Sequence, residues 1–214
     1  MQTNKSRNVA LALVLIPLAG FLVWRQTTRS QVNFKPSAAV GEVFADEAAR
    51  LLGGAGQIVL IARAPDPNDP DANSERIASF QAAMKLRKSP QLVAVEWLER
   101  PPRGVMDMGG VSEEQLVAIV DKHPGANAFV VFAGLPPLSP RAIGKFTGRS
   151  LKLMVVCGYG ENLKRLLQAR VVSSAVVPRF DDLPPGTPAP KTARDWFQRE
   201  FELLTPDTMG RAPY

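Results

Sequence analysis

The sequence predicts an α/β protein: a three-layer sandwich around a five-stranded parallel, doubly wound sheet, preceded by one N-terminal transmembrane helix. Three observations carry this. Short apolar runs rich in β-branched residues recur with helical segments between them. Apolar runs of this kind suit strands buried on both faces, as in parallel sheets. Several intervening segments open with helix-capping residues. Finally, residues 9–24 (VALALVLIPLAGFLVW) carry no charge.

The first strand is read at Gln57–Arg63 (QIVLIAR). The helix before it covers Glu42–Leu52, with Phe44, Ala48, Leu51 and Leu52 on one face and Gly53 at its stop. Ala64–Asn73 is a Pro/Asp loop, and Ser74 is expected to cap a helix that carries Ile77, Phe80 and Met84 inward. Gln91–Leu98 is the second strand and Glu99–Gly110 a Pro/Gly loop. Ser112 and Gln115 have capping-box spacing ahead of Leu116, Ile119 and Val120. Asn127–Ala133 is the third strand. Ser139-Pro140 reads as an N-cap followed by proline at the first helical position. Leu151–Cys157 and Val171–Val177 are the fourth and fifth strands, with Leu163, Leu166 and Leu167 on the helix between them. Leu183–Lys191 is a second linker. Thr192 and Asp195 have capping-box spacing for a final helix, Thr192–Leu204, which closes the domain or binds a partner. Right-handed crossovers make the simplest strand order flavodoxin-like, 2-1-3-4-5.

The implied organisation is a membrane anchor at 1–26, a tether at 27–40, an α/β domain at 41–182, and a Pro-rich linker with C-terminal helix at 183–214. Sixteen helical residues span about 24 Å, a little short of a hydrocarbon core of about 30 Å. A snorkelling Arg25 and an interfacial Trp24 suit the boundary. A cleaved signal peptide would need a small-x-small site soon after the apolar run. The run is followed instead by Arg-Gln-Thr-Thr-Arg, and Ser37-Ala38-Ala39 comes late. The segment therefore reads as an uncleaved anchor.

The net charge is +6. Residues 1–56 hold six Lys/Arg and three Asp/Glu, a net of +3. The remaining twenty basic and seventeen acidic residues give +3 again. The globular region is mixed in sign, with no basic stripe interleaved with aromatics, which argues against a nucleic-acid partner. One cysteine, Cys157, permits no intramolecular disulfide.

In a doubly wound sheet, ligands lie beyond the carboxyl ends of the strands. Arg63, Asp66, Glu99, Arg100, Tyr159, Asn162 and Arg179 lie on or beside loops at that edge and are the candidate ligand- or partner-binding residues. The third strand ends Val131-Phe132-Ala133-Gly134, without the aspartate a phosphoacceptor receiver needs. Ala64-Pro65-Asp66-Pro67 is acidic and short of free amides, so it suits no phosphate. Gly158 and Gly160 are two of three glycines of a dinucleotide fingerprint, with Leu163 in the third place. Cys157 ends a strand where a nucleophile could sit. The only histidine, His123, belongs by topology to the opposite edge, in a turn expected to be solvated. No His/Cys cluster suits a metal. The reading is of a non-catalytic protein, with no catalytic residue, metal or cofactor.

Residues 57–178 resemble one lobe of the type I periplasmic substrate-binding proteins, the sugar-binding family shared with lactose-repressor-like regulators. Gln57–Arg63 with Ser74–Met84 (SERIASFQAAM) is similar to the opening strand and helix. Glu113–Phe132 is similar to the helix and strand leading to the ligand-side loop. Leu151–Pro178 is similar to a later strand–helix–strand unit. The family has two such lobes closing over a ligand, and this chain has room for one. The resemblance implies a substrate-binding-like lobe outside the inner membrane, although the flanking charges (Lys5 and Arg7 against Arg25, Arg29 and Lys35) do not orient the span by themselves. One open lobe buries far less of a small ligand than a closed cleft, so the expected partner is a protein in a membrane complex or a homodimer, with a sugar or amino acid as the alternative ligand. An anchored enzyme using Cys157 is the third reading.

Overall fold

The residues of the first strand alternate between two apolar layers, and this alternation organises the domain. The chain divides into two units, Met1–Asn33 and Phe34–Tyr214. The computed structural model describes residues 33, 35–65, 71–99, 110–158, 160–180 and 186–209. The segment read as a membrane span, residues 9–24, lies outside them. Among the described residues, no helix is long and apolar enough to cross a membrane.

The elements are α1 (Lys35–Leu51), β1 (Gln57–Arg63), α2 (Ala72–Lys85), β2 (Gln91–Leu98), α3 (Glu113–Lys122) and β3 (Ala128–Val131). They continue with α4 (Pro140–Gly148), β4 (Lys152–Val156), α5 (Glu161–Gln168), β5 (Val172–Pro178), α6 (Ala193–Glu200) and β6 (Phe201–Leu204). The sheet runs β2-β1-β3-β4-β5-β6. Neighbouring strands are parallel as far as β5, and β6 joins antiparallel. Ile58, Leu60 and Ala62 of β1 pack with Phe44 of α1, Phe80 of α2 and Phe197 of α6. Val59 and Ile61 face the other way, onto Leu116 of α3, Phe146 of α4 and Leu166 of α5. The period of two in a strand places each set on its own face, and the result is a sheet between two helical layers.

The strand order 2-1-3-4-5 is as the sequence predicts, and the sixth strand is an addition. The segment read as one helix, Thr192–Leu204, is helical only to Glu200. Phe201 is extended, with φ −139° and ψ 162°, and Phe201–Leu204 pairs with Pro178–Ala175. Pairing gives the outer edge of β5 backbone partners that a longer helix would withhold. The C-terminal segment thus packs on the domain. At the other end, α1 begins at Lys35, seven residues before the expected Glu42, so part of the stretch read as tether is helical. Pro36 is tolerated because the first-turn amides have no intrahelical acceptor. Ala39, Val40 and Gly41, inside that extension, are buried.

Helix α2 is capped by Asp71 rather than Ser74. The Asp71 carboxylate accepts from the Ser74 amide and hydroxyl, both at 2.7 Å. The capping boxes at Ser112/Gln115 and Thr192/Asp195 form as expected, as does the Ser139 cap with its following proline.

Candidate functional site

The strand order reverses beside β1: the chain passes outward to β2, then returns across β1 to β3. At such a switch point the loops leaving the two flanking strands diverge and open a crevice at the carboxyl edge. Arg63 closes β1 at this edge, partly exposed. Glu99 follows β2 and is exposed. Asn162 lies in the first turn of α5. Its amide nitrogen donates to the Pro136 carbonyl at 3.4 Å, and its oxygen accepts from Arg165 at 3.4 Å. It therefore ties the loop after β3 to α5. Arg179 follows β5, with its amide bonded to the Glu200 carbonyl at 2.9 Å. Asp66, Arg100 and Tyr159 lie outside the described residues. The four that are described leave from different strands along one edge.

The structure adds residues here that sequence spacing did not select. The Arg76 guanidinium lies over the Phe132 ring, 5.6 Å from its centroid. Phe132 follows β3 and meets Phe44 and Phe80 edge-on at 5.7 Å each. Burial pushes the Arg76 guanidinium down to about 10, while Asp71 pulls the other way. A desolvated cation on a ring face is held by the ring quadrupole as well as by hydrogen bonds. Arg76 Nε is buried without a hydrogen-bond partner, and so is Asn73 Oδ1, whose amide nitrogen reaches the Arg63 carbonyl at 3.4 Å. Arg179 Nε is a third such atom; the fourth among the described residues is Ser174 Oγ, within β5. Buried polar atoms are normally satisfied, and three of these four belong to residues at the carboxyl edge, Asn73, Arg76 and Arg179. Only their position after a loop-ending acid, at the start of α2, could have flagged Asn73 and Arg76 in the sequence.

Beside Arg179, Phe180 is 66% exposed. Cys157 leaves β4 at this edge with its thiol largely buried, and burial pushes it up to about 11. His123 caps the far end of α3, near the amino edge of the sheet. It is not the solvated turn residue expected. Its ring Nε2 lies 2.7 Å from Glu96 Oε1, and its side chain is 20% exposed. The sequence's one histidine is thus engaged by Glu96 near the other edge, while the carboxyl edge presents polar and aromatic groups suited to recognition contacts.

No family model matches the sequence, and no curated protein matches it. Solved structures do match in fold. An arabinose-binding protein from Geobacillus stearothermophilus superposes with TM-score 0.55 at 13% identity, covering 82% of this chain and 62% of that one. A sugar-binding protein of a sugar ABC transporter from Bacillus halodurans gives TM-score 0.56 at 13% identity, covering 82% and 64%. The complex of XylFII with LytSN gives TM-score 0.53 at 13% identity, covering 80% and 60%. This chain spans less than two thirds of each of those chains. Its α/β domain has the fold of one lobe of the type I periplasmic sugar-binding proteins.

Proposed function

We propose that this protein is a membrane-anchored, extracytoplasmic, non-catalytic recognition subunit whose single lobe docks a protein partner on the carboxyl edge of its sheet. The observation that carries the reading is the set of unpartnered buried polar atoms on Asn73, Arg76 and Arg179 along this edge, with the exposed Phe180 following Arg179. Interfaces combine such an apolar anchor with polar groups that become satisfied on contact. An open lobe buries far less of a small ligand than a closed cleft, so its affinity for a free metabolite is weak without a second surface. The uncharged run at residues 9–24 supplies the anchor. One fold neighbour was solved as a complex of two proteins. Arg63, Asp66, Glu99, Arg100, Tyr159, Asn162 and Arg179 are the proposed contact residues.

A second reading has a specific basis. The fold neighbours include arabinose- and sugar-binding proteins, and charged and amide groups around an aromatic face suit a sugar or amino acid. In this reading a second copy of the chain completes the cleft. Affinity purification of the full chain from membranes, together with thermal melts against sugars and amino acids, separates the two. The first reading expects a stoichiometric protein partner lost in Phe180→Ala and Arg179→Ala. A large, saturable stabilisation by one small molecule with no copurifying protein would establish the second instead. Recovery of a soluble mature chain that starts near residue 40 would remove the anchor.

A further inference from the structure

The amino edge of the sheet, opposite the candidate site, carries a second feature. A cavity of about 520 Å³ lies between the C-terminal half of α1 and the end of β6. Three cations from separate parts of the fold line it: Arg50 of α1, Lys152 of β4 and Arg170 ahead of β5. Two acids share the lining, Glu47 and Asp207. Glu47 is 5% exposed and already committed, with both carboxylate oxygens 2.7 Å from Arg50 nitrogens. It fixes the Arg50 fork in place. Asp207 is 3.6 Å from Arg170, but both side chains are more than three-quarters exposed, which makes that a weak pair. Lys152 has no acidic partner among the described residues. The net charge of the lining is +1, since three cations face two acids.

Two backbone irregularities open onto this cavity. Helix α5 ends in a Schellman motif, with the Arg170 amide bonded to the Leu167 carbonyl at 2.9 Å and the Val171 amide to the Leu166 carbonyl at 3.0 Å. The motif needs a left-handed residue, for which glycine is the usual choice. Gly53 fills that place after α1, with φ 60°. After α5 the place is held by Arg170, with φ 54°, a conformation that costs a side-chain-bearing residue about 1 kcal/mol or more. Three residues on, Ser173 is the extra residue of a β-bulge: Leu153 pairs with Val172 and Met154 with Ser174. Bulges re-aim side chains beside functional sites. Ser173 is part of the cavity lining.

We propose that this cavity binds a phosphate monoester group, with Lys152, Arg170 and Ser173 contacting its oxygens and Arg50 presented by Glu47. A compact dianion matches converging ammonium, guanidinium and hydroxyl donors, and charge-assisted bonds to phosphate are the strongest available to these groups. The site is on the opposite edge from the proposed docking surface and does not depend on it. The group can belong to a soluble metabolite or to a lipid headgroup. Thermal melts of the detergent-solubilised full chain, titrated with inorganic phosphate and in parallel with a short-chain phosphatidate at constant ionic strength, test both. A saturable rise in Tm is expected with at least one probe. A tighter response to phosphatidate identifies a lipid, and an equal response identifies the phosphate group alone. Lys152→Met should weaken the response about tenfold. Arg170→Gly should raise the Tm without phosphate, because glycine relieves the left-handed residue, and yet weaken the phosphate response. That opposite pair of effects distinguishes binding from folding. No saturable shift with either probe, or an unchanged shift in both variants, would overturn the proposal.

Discussion

Gly41 of α1 lies so close to α2 that a Cβ built on it would sit 2.0 Å from Ser79 Oγ, 2.3 Å from the Arg76 carbonyl oxygen and 2.7 Å from the Phe80 amide nitrogen. The Ser79 hydroxyl donates to the Ala38 carbonyl at 2.7 Å and to the Arg76 carbonyl at 3.1 Å. The two helices meet backbone to backbone, and only a residue without a side chain permits it. The same contact holds Arg76 where it can cover Phe132.

Gly41→Ala is therefore expected to destabilise the domain. Alanine gains about 1 kcal/mol of helix propensity, but overpacking against backbone that cannot rotate away costs more, about 2–3 kcal/mol. The net loss should be about 1–2 kcal/mol in urea unfolding. Gly144 of α4 is the control, because nothing lies within 4 Å of its built Cβ. Gly144→Ala should stabilise by up to about 1 kcal/mol. Equal behaviour of the two variants would contradict the close helix crossing.

A second prediction concerns Glu96. Its hydrogen bond from His123, then that from Lys122, holds the carboxyl below the usual glutamate range of 4.5. His123 Nε2 lies at 2.7 Å and Lys122 Nζ at 2.9 Å. A carboxyl whose folded pKa is depressed stabilises the fold above its unfolded value and loses that contribution as pH falls through the folded value. Glu96→Gln should cost on the order of 1 kcal/mol at pH 7. The gap to wild type should narrow steadily below about pH 4.5, the ordinary glutamate range. Urea unfolding across pH 3–7 measures it, and a gap independent of pH would exclude the ion pair.

Local patterns in the sequence carried the elements whose causes are local. Gln57–Arg63 is legible because both its faces are apolar, and the Ser112, Ser139 and Thr192 caps because each sits a fixed number of residues before its partner or proline. The reversal at Phe201 was hidden. Trp196, Phe197, Phe201 and Leu204 keep helical spacing, and the choice between helix and strand is made by the open edge of β5, 23 residues earlier at Pro178. The start of α1 was hidden by Pro36, which breaks helices in the interior but not in the first turn. At the candidate site, loop position alone placed Arg63, Glu99, Asn162 and Arg179 at the carboxyl edge. The Arg76–Phe132 contact joins residues 56 positions apart through tertiary packing, which no spacing rule reveals. The Glu96–His123 pair was missed for the same reason.

The last prediction is that Cys157 is chemically quiet. Burial raises its thiol to about 11, against an unperturbed value of about 8.5. At pH 8 the thiolate fraction falls from roughly a quarter to about one in a thousand, and the thiolate is the reactive species. His123 does not offset this, since it is engaged by Glu96. Alkylation by iodoacetamide at pH 8 should therefore run roughly two hundredfold slower in the folded chain than in guanidinium-unfolded protein. Cys157→Ser should leave partner or ligand binding intact, with a modest loss of stability where the side chain packs against the core. Rapid alkylation of the folded chain, together with loss of function but not of fold in the serine variant, would reopen an enzymatic role for this edge of the sheet.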